Sequence, residues 1–155
     1  MFSRIWACIL ALLASIIPWL NPPAIDDWRK STIEIIEAMK ISDIDTIESY
    51  MCQNIKDNVP DLHKKIAALI NAVQGEITSY TEPRQSMSSW VGSRTNVFAH
   101  SEITTKEGLY GLNISWVTHN PSMPDEVGIV VLWLTAETPN GWEELGAIAA
   151  PGVLE

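Results

Sequence analysis

The sequence predicts an α+β domain behind an apolar leader, with three helices followed by a curved antiparallel sheet that packs around them. Three observations carry this expectation. Residues 5–20 are apolar apart from Ser15, and no acidic residue precedes Asp26. From 26 to 75 apolar residues recur at helical spacing, and from Glu76 onward they alternate with a period of two. Helices grouped before a run of strands, instead of alternating with them, are the signature of an α+β chain.

Residues 1–24 read as a signal peptide or an N-terminal membrane anchor, and residues 26–155 as a single domain. The apolar run is longer than the usual ~7–15 residues of a secretory core and shorter than the ~20 of a spanning helix. Pro18 and Asn21-Pro22-Pro23-Ala24 break it before a cleavage site, since proline lacks an amide donor and clashes with the preceding turn. Arg4 before the run and Asp26-Asp27 after it direct the domain outward by the positive-inside rule. Cys8 lies too early for a lipidated cysteine and serves as one more apolar residue. The expected location is therefore extracytoplasmic, secreted or held at the membrane by residues 1–24.

Asp26 or Asp27 caps a first helix that runs to about Ser42, with Trp28, Ile33, Ile36 and Met39 at helical spacing. Ser42 or Asp43 opens a second, striped by Ile44, Ile47, Tyr50, Met51 and Ile55 and ended by Asn58-Val59-Pro60. A third begins at Pro60-Asp61, turns Leu62, Ile66, Leu69, Ile70 and Val73 to one side, and stops at Gly75.

Glu76 to Thr81 reads as a strand closed by a Glu82-Pro83 turn. Trp90 to Thr105 is extended, setting Val97, Ala99, Ser101 and Ile103 against Phe98, His100 and Glu102, with Gly92-Ser93 and Gly108 as turns or bulges. After Lys106-Glu107-Gly108, Tyr110, Leu112, Ile114 and Trp116 share one face while Asn113, Ser115 and His119 take the other. Val127 to Ala136 is apolar on both faces, Ile129, Val131 and Trp133 against Val130, Leu132 and Leu134. A central strand whose second face meets a helix, a pocket or another subunit has this pattern. Pro139-Asn140-Gly141 then turns into Trp142 and a last segment ending at Pro151-Gly152-Val153.

The formal charge of −9 disfavours nucleic acid and anionic lipid surfaces, which recruit clustered lysine and arginine. With the leader removed Cys52 stands alone, so the mature chain forms no internal disulfide, and its place in an amphipathic stretch makes it a small buried apolar residue.

Several short motifs resemble an uncharacterised bacterial envelope family, the domain of unknown function 5104. They are Val73-Gln74-Gly75-Glu76-Ile77-Thr78-Ser79-Tyr80 with Glu82-Pro83, Ile103-Thr104-Thr105-Lys106-Glu107, Tyr110 with Trp116, Pro124-Asp125-Glu126-Val127-Gly128, and Pro151-Gly152. The resemblance covers about residues 30 to 153. It implies a cone-shaped fold like that of nuclear transport factor 2, with no established activity.

Enzymes on such folds need a base tuned by a partner or by dry surroundings, and a donor beside it. The candidates are His100, His119, Asp43, Asp45 and Tyr50, of which His100 or Tyr50 would be the catalytic residue. Asp43 and Asp45 sit at a helix entrance and read better as caps. No His-x-x-x-His, Cys-x-x-Cys, calcium loop, phosphate-cradling glycine motif or nucleophile elbow occurs, so neither metal nor cofactor is expected. Trp90, Trp116 and Trp133 are the pocket or interface candidates, with core packing as the alternative for each and Trp133 preferred. The expected function is a non-enzymatic module that binds a partner protein, a second copy or a small apolar ligand, without nucleic acid. The rival is a small hydrolase or isomerase with His100 or Tyr50 in its cavity.

Overall fold

The computed structural model describes residues 27–153, so the expected leader lies outside the described residues. Four helices come first: α1 (Trp28–Ile41), α2 (Ile44–Tyr50), α3 (Gln53–Asn58) and α4 (Leu62–Ala72). Six strands follow: β1 (Ile77–Tyr80), β2 (Arg84–Val91), β3 (Arg94–Thr105), β4 (Leu109–His119), β5 (Gly128–Thr138) and β6 (Gly141–Ala149). The α+β class is as expected. All ladders are antiparallel, in the order β1-β3-β4-β5-β6, with β2 also paired to β3.

Asp27 caps α1 by accepting from the Lys30 N–H, and the chain leaves it through Ser42 in the left-handed region. Its buried seam is Trp28, Thr32, Ile35, Ile36 and Met39, rotated from the expected one so that Ile33 is only half-buried. Thr32 can join a dry seam because its hydroxyl donates to the Trp28 carbonyl (2.8 Å) while accepting from Trp116 Nε1 (3.3 Å).

The expected second helix is two helices. Met51 and Cys52 are extended, Met51 forms a parallel bridge with Ile129, and the Cys52 N–H donates to the Ile129 carbonyl at 3.0 Å. The chain here crosses the start of β5 so closely that only Gly128 fits beneath it. A Cβ at that residue, whose φ is +129°, would lie 2.8 Å from the Tyr50 carbonyl and 2.9 Å from the Cys52 nitrogen. α4 keeps its expected face, with Leu62, Ile66, Leu69 and Ile70 buried, and it crosses β6 where Gly146 leaves room for Leu69.

β2 replaces most of what the sequence left unassigned after Glu82-Pro83. Its residues are almost all exposed, so no alternating apolar pattern announces it. β1 and β2 lie end to end along one side of β3, β1 against Ile103–Thr105 and β2 against Arg94–His100. Each of the five pairings carries one register shift, and such bulges bend a strand and increase its twist.

The helices cover one face of the sheet. Val97, Ala99 and Ile103 of β3, Tyr110, Leu112, Ile114 and Trp116 of β4, and Leu132 and Leu134 of β5 are buried there. The shift opposite Ser115 and Trp116 makes Val130 the extra residue of β5. It brings Ile129 beside Trp116 on the helix side and leaves Val131 and Trp133 alone on the outer side, which corrects the expected grouping of the three.

Candidate functional site

Between the helices and the sheet, Ile35, Met39, Ile47, Ile66, Leu112, Leu132 and Leu134 enclose a space of only about 10 Å³. That is about what one water needs, and the walls are apolar. The space among these residues is therefore packed shut, although Met39 also borders a larger recess at the end of α1.

The outer face is open. Phe98, Ser115, Val131, Trp133, Ala147 and Val153 line a recess of about 260 Å³, with Glu144 at its rim. Ladder geometry explains the assembly. Phe98 pairs with Ser115, Ser115 with Val131 and Trp133 with Ala147, so four adjacent strands each contribute to one patch. Val153 reaches it from the turn after β6, where its N–H donates to the Ala150 carbonyl (3.2 Å).

The three tryptophans proposed from sequence separate. Trp116 is fully buried, edge-on to the Tyr50 ring at 5.9 Å, and belongs to the core. Trp133 is half-buried and lines the outer recess. Trp90 is 77% exposed near the tip of the β2–β3 hairpin, away from both.

The two catalytic candidates lie on opposite sides of the sheet. His100 is on the outer face, with Nδ1 2.8 Å from Asn113 Oδ1. Asn113 Nδ2 donates to the Gly111 carbonyl (3.3 Å), which leaves its Oδ1 facing the His100 ring. Gly111 is required there, since a Cβ would stand 2.5 Å from Thr135 Oγ1, 3.3 Å from the His100 ring and 3.4 Å from Trp142. Tyr50, on the helix side, donates its hydroxyl to the Glu34 carboxylate. Burial, and after it Glu34, pushes the Tyr50 phenol above its usual pKa. The Glu34 side chain is 45% exposed, so this acid–phenol couple sits at a wet surface and not at the bottom of a cleft.

Asp43 caps α2, accepting from the Thr46 N–H (3.1 Å) and hydroxyl (2.7 Å), and those two bonds hold its carboxyl below the usual range. Asp45 is exposed beside His63, whose Nδ1 lies 3.8 Å from Asp45 and 3.4 Å from Glu48. This cluster over a broad depression with Ser49 and Lys56 was absent from the sequence reading. The acids were visible one turn apart on α2, but nothing local shows that α4 brings His63 to them. A second recess of about 200 Å³, bounded by Lys40, Ser42, Asn71 and Glu76 at the ends of α1 and α4, was also not foreseen. His119 ends β4 and is half-exposed. Among the described residues no group of three or more His, Cys, Asp or Glu side chains is placed to hold a metal ion.

The family model for the domain of unknown function DUF5104 matches residues 34–137. The chain belongs to this family. The match takes in α1 from Glu34 through β5, hence Tyr50, His100, Trp116 and Trp133, and stops before Glu144, Ala147 and Val153 of the recess. The DUF5104 assignment thus covers the floor of the site and not its β6 wall. No curated protein matches the chain.

Proposed function

We propose that this DUF5104 chain is an extracytoplasmic binding module, held at a membrane or released from it by residues 1–24, that takes a small apolar ligand against Trp133. The observation that carries the reading is the chemistry of the outer recess of about 260 Å³, where Phe98, Val131, Trp133 and Ala147 present apolar side chains, whereas the recess of about 200 Å³ at the ends of α1 and α4 includes Lys40, Ser42, Asn71 and Glu76. The outer recess approaches the size of small-molecule sites, which are mostly apolar with a few polar groups that fix orientation. The same reading takes the fold as a cone of the nuclear transport factor 2 kind, supported by helices gathered on one face of a bulged antiparallel sheet.

Charge narrows the ligand. Among the described residues Glu144 is the carboxylate lining the recess, and no lysine or arginine follows Lys106 in the sequence, so β4, β5 and β6 carry no lysine or arginine. Neutral and cationic ligands fit this wall, and anions are repelled. A hydrolase or isomerase reading has less support, because neither His100 nor Tyr50 lines the outer recess and the Tyr50–Glu34 couple lies at a wet surface.

The test uses one ring system in three charge states: indole, tryptamine and indole-3-acetate, followed by saturation-transfer NMR on the purified chain. Indole and tryptamine should bind, indole-3-acetate should bind least, and Trp133→Ala should abolish indole binding while the fold persists. Unchanged indole binding in Trp133→Ala would sink the proposal.

A further inference from the structure

One end of the sheet carries a second exposed apolar surface. Trp90 (77% exposed) and Val91 (69%) flank the Gly92-Ser93 turn of the β2–β3 hairpin, and Met123 (55%) stands on the β4–β5 connection. The two loops are joined. Ser93 Oγ and Ser122 Oγ are 3.4 Å apart, and Arg94 pairs with Glu126 at 2.9 Å while Asn120 Nδ2 donates to the same carboxylate at 2.9 Å. This network joins the two loops that carry Trp90, Val91 and Met123 at one rim, and it pairs Glu126 with Arg94.

Topology places the start of α1 at this same rim. Trp90 pairs with Thr95, which pairs with His119, so the hairpin end is level with the end of β4. Thr32 bonds to Trp116, near that end of β4, whereas Ile35 and Met39 lie over Leu112 farther back. α1 therefore runs away from the rim, and Asp27 enters at it. Six residues separate Leu20, the end of the apolar run, from Asp27, and the seven steps between them, at 3.3–3.6 Å each, span at most about 25 Å.

We propose that Trp90, Val91 and Met123 form a lipid-contacting rim that rests at the headgroup–acyl boundary of the bilayer holding residues 1–24. The inference depends on the reading of those residues as a retained anchor. A tether so short keeps this rim against the membrane, and tryptophan is the side chain whose apolar body and polar N–H suit that boundary. The acidic charge of the domain makes a zwitterionic surface the better match. Trp142 is the internal control, since it follows the β5–β6 turn at the opposite end of the strands.

The full chain is reconstituted into phosphatidylcholine liposomes containing lipid brominated near the headgroup end of the acyl chain. Tryptophan quenching is compared among the native chain, Trp90→Phe and Trp142→Phe, with flotation to verify insertion and circular dichroism to verify folding. Trp6 and Trp19 contribute equally to all three. The quenched signal should fall by about one tryptophan in Trp90→Phe and stay unchanged in Trp142→Phe. A folded, floating chain whose quenched signal is the same with and without Trp90 overturns the rim and leaves the anchor standing. Failure of the native chain to float overturns both.

Discussion

On the side of the sheet that bears the helices, Leu112, Ile114 and Leu134 are within 2% of complete burial, and Trp116 has even its indole N–H occupied by Thr32. On the other side, Val131 is buried too, but its neighbour Trp133 remains half-open beside Phe98 and Ala147. The same β5 thus supplies Leu132 to a closed interior and Trp133 to an open recess. The two apolar faces of one strand differ in closure: one is covered by the helices, and the other is partly open around Trp133.

The comparison can be broken most severely at Trp116. Replacing it with alanine removes a fully enclosed ring, for which losses of about 3–5 kcal/mol are typical, whereas Trp133→Ala should cost about 1 kcal/mol. Urea unfolding of the two variants measures the difference directly, and equal losses would mean that the outer face is as structural as the inner one.

A smaller effect is expected where the helical layer crosses β5. Gly128→Ala places a methyl group against the Tyr50 and Cys52 backbone at a positive φ, on the order of 1–3 kcal/mol. Gly141→Ala, also at a positive φ but with open space around it, isolates strain from overlap. Thermal denaturation should rank Gly128→Ala clearly below Gly141→Ala.

The smallest effect is at Tyr50. Its folded pKa is raised, so the stabilisation associated with the protonated phenol is fully present below the unfolded value of about 10 and is lost as pH rises through the folded value. Tyr50→Phe should therefore flatten the alkaline decline of stability. Near neutrality it should cost at most about 1 kcal/mol, because Glu34 is half in water. An unchanged alkaline slope in Tyr50→Phe would show that neither burial nor the Glu34 bond raises this phenol in solution.

Much of the fold was legible because burial here follows periodicity. Leu62, Ile66, Leu69 and Ile70 repeat at helical spacing and face the sheet, and Tyr110, Leu112, Ile114 and Trp116 alternate and face the helices. What escaped was decided by distant partners. Ile44, Ile47, Met51 and Ile55 keep an unbroken helical rhythm, yet the backbone opens at Met51-Cys52 to bond Ile129. Arg84–Val91 has no dry side and so no rhythm to detect, although β3 offers it a free edge. At the site, Trp133 could be singled out from the second apolar face of β5. Val153 and Glu144 could not, because their places depend on the bulge in β6 and on the turn that follows it.

The crossing over Gly128 also determines the fate of Cys52. Its thiol is sealed from solvent, and burial raises its pKa, so it exists there as an inert, un-ionised group. In an oxidising compartment an accessible lone sulfhydryl would capture other chains; this one is kept latent by the backbone lying over a residue without a side chain. Alkylation of Cys52 then becomes a clock for how often that junction lifts, and slow labelling would mean that oxidants too meet it only when the molecule comes apart.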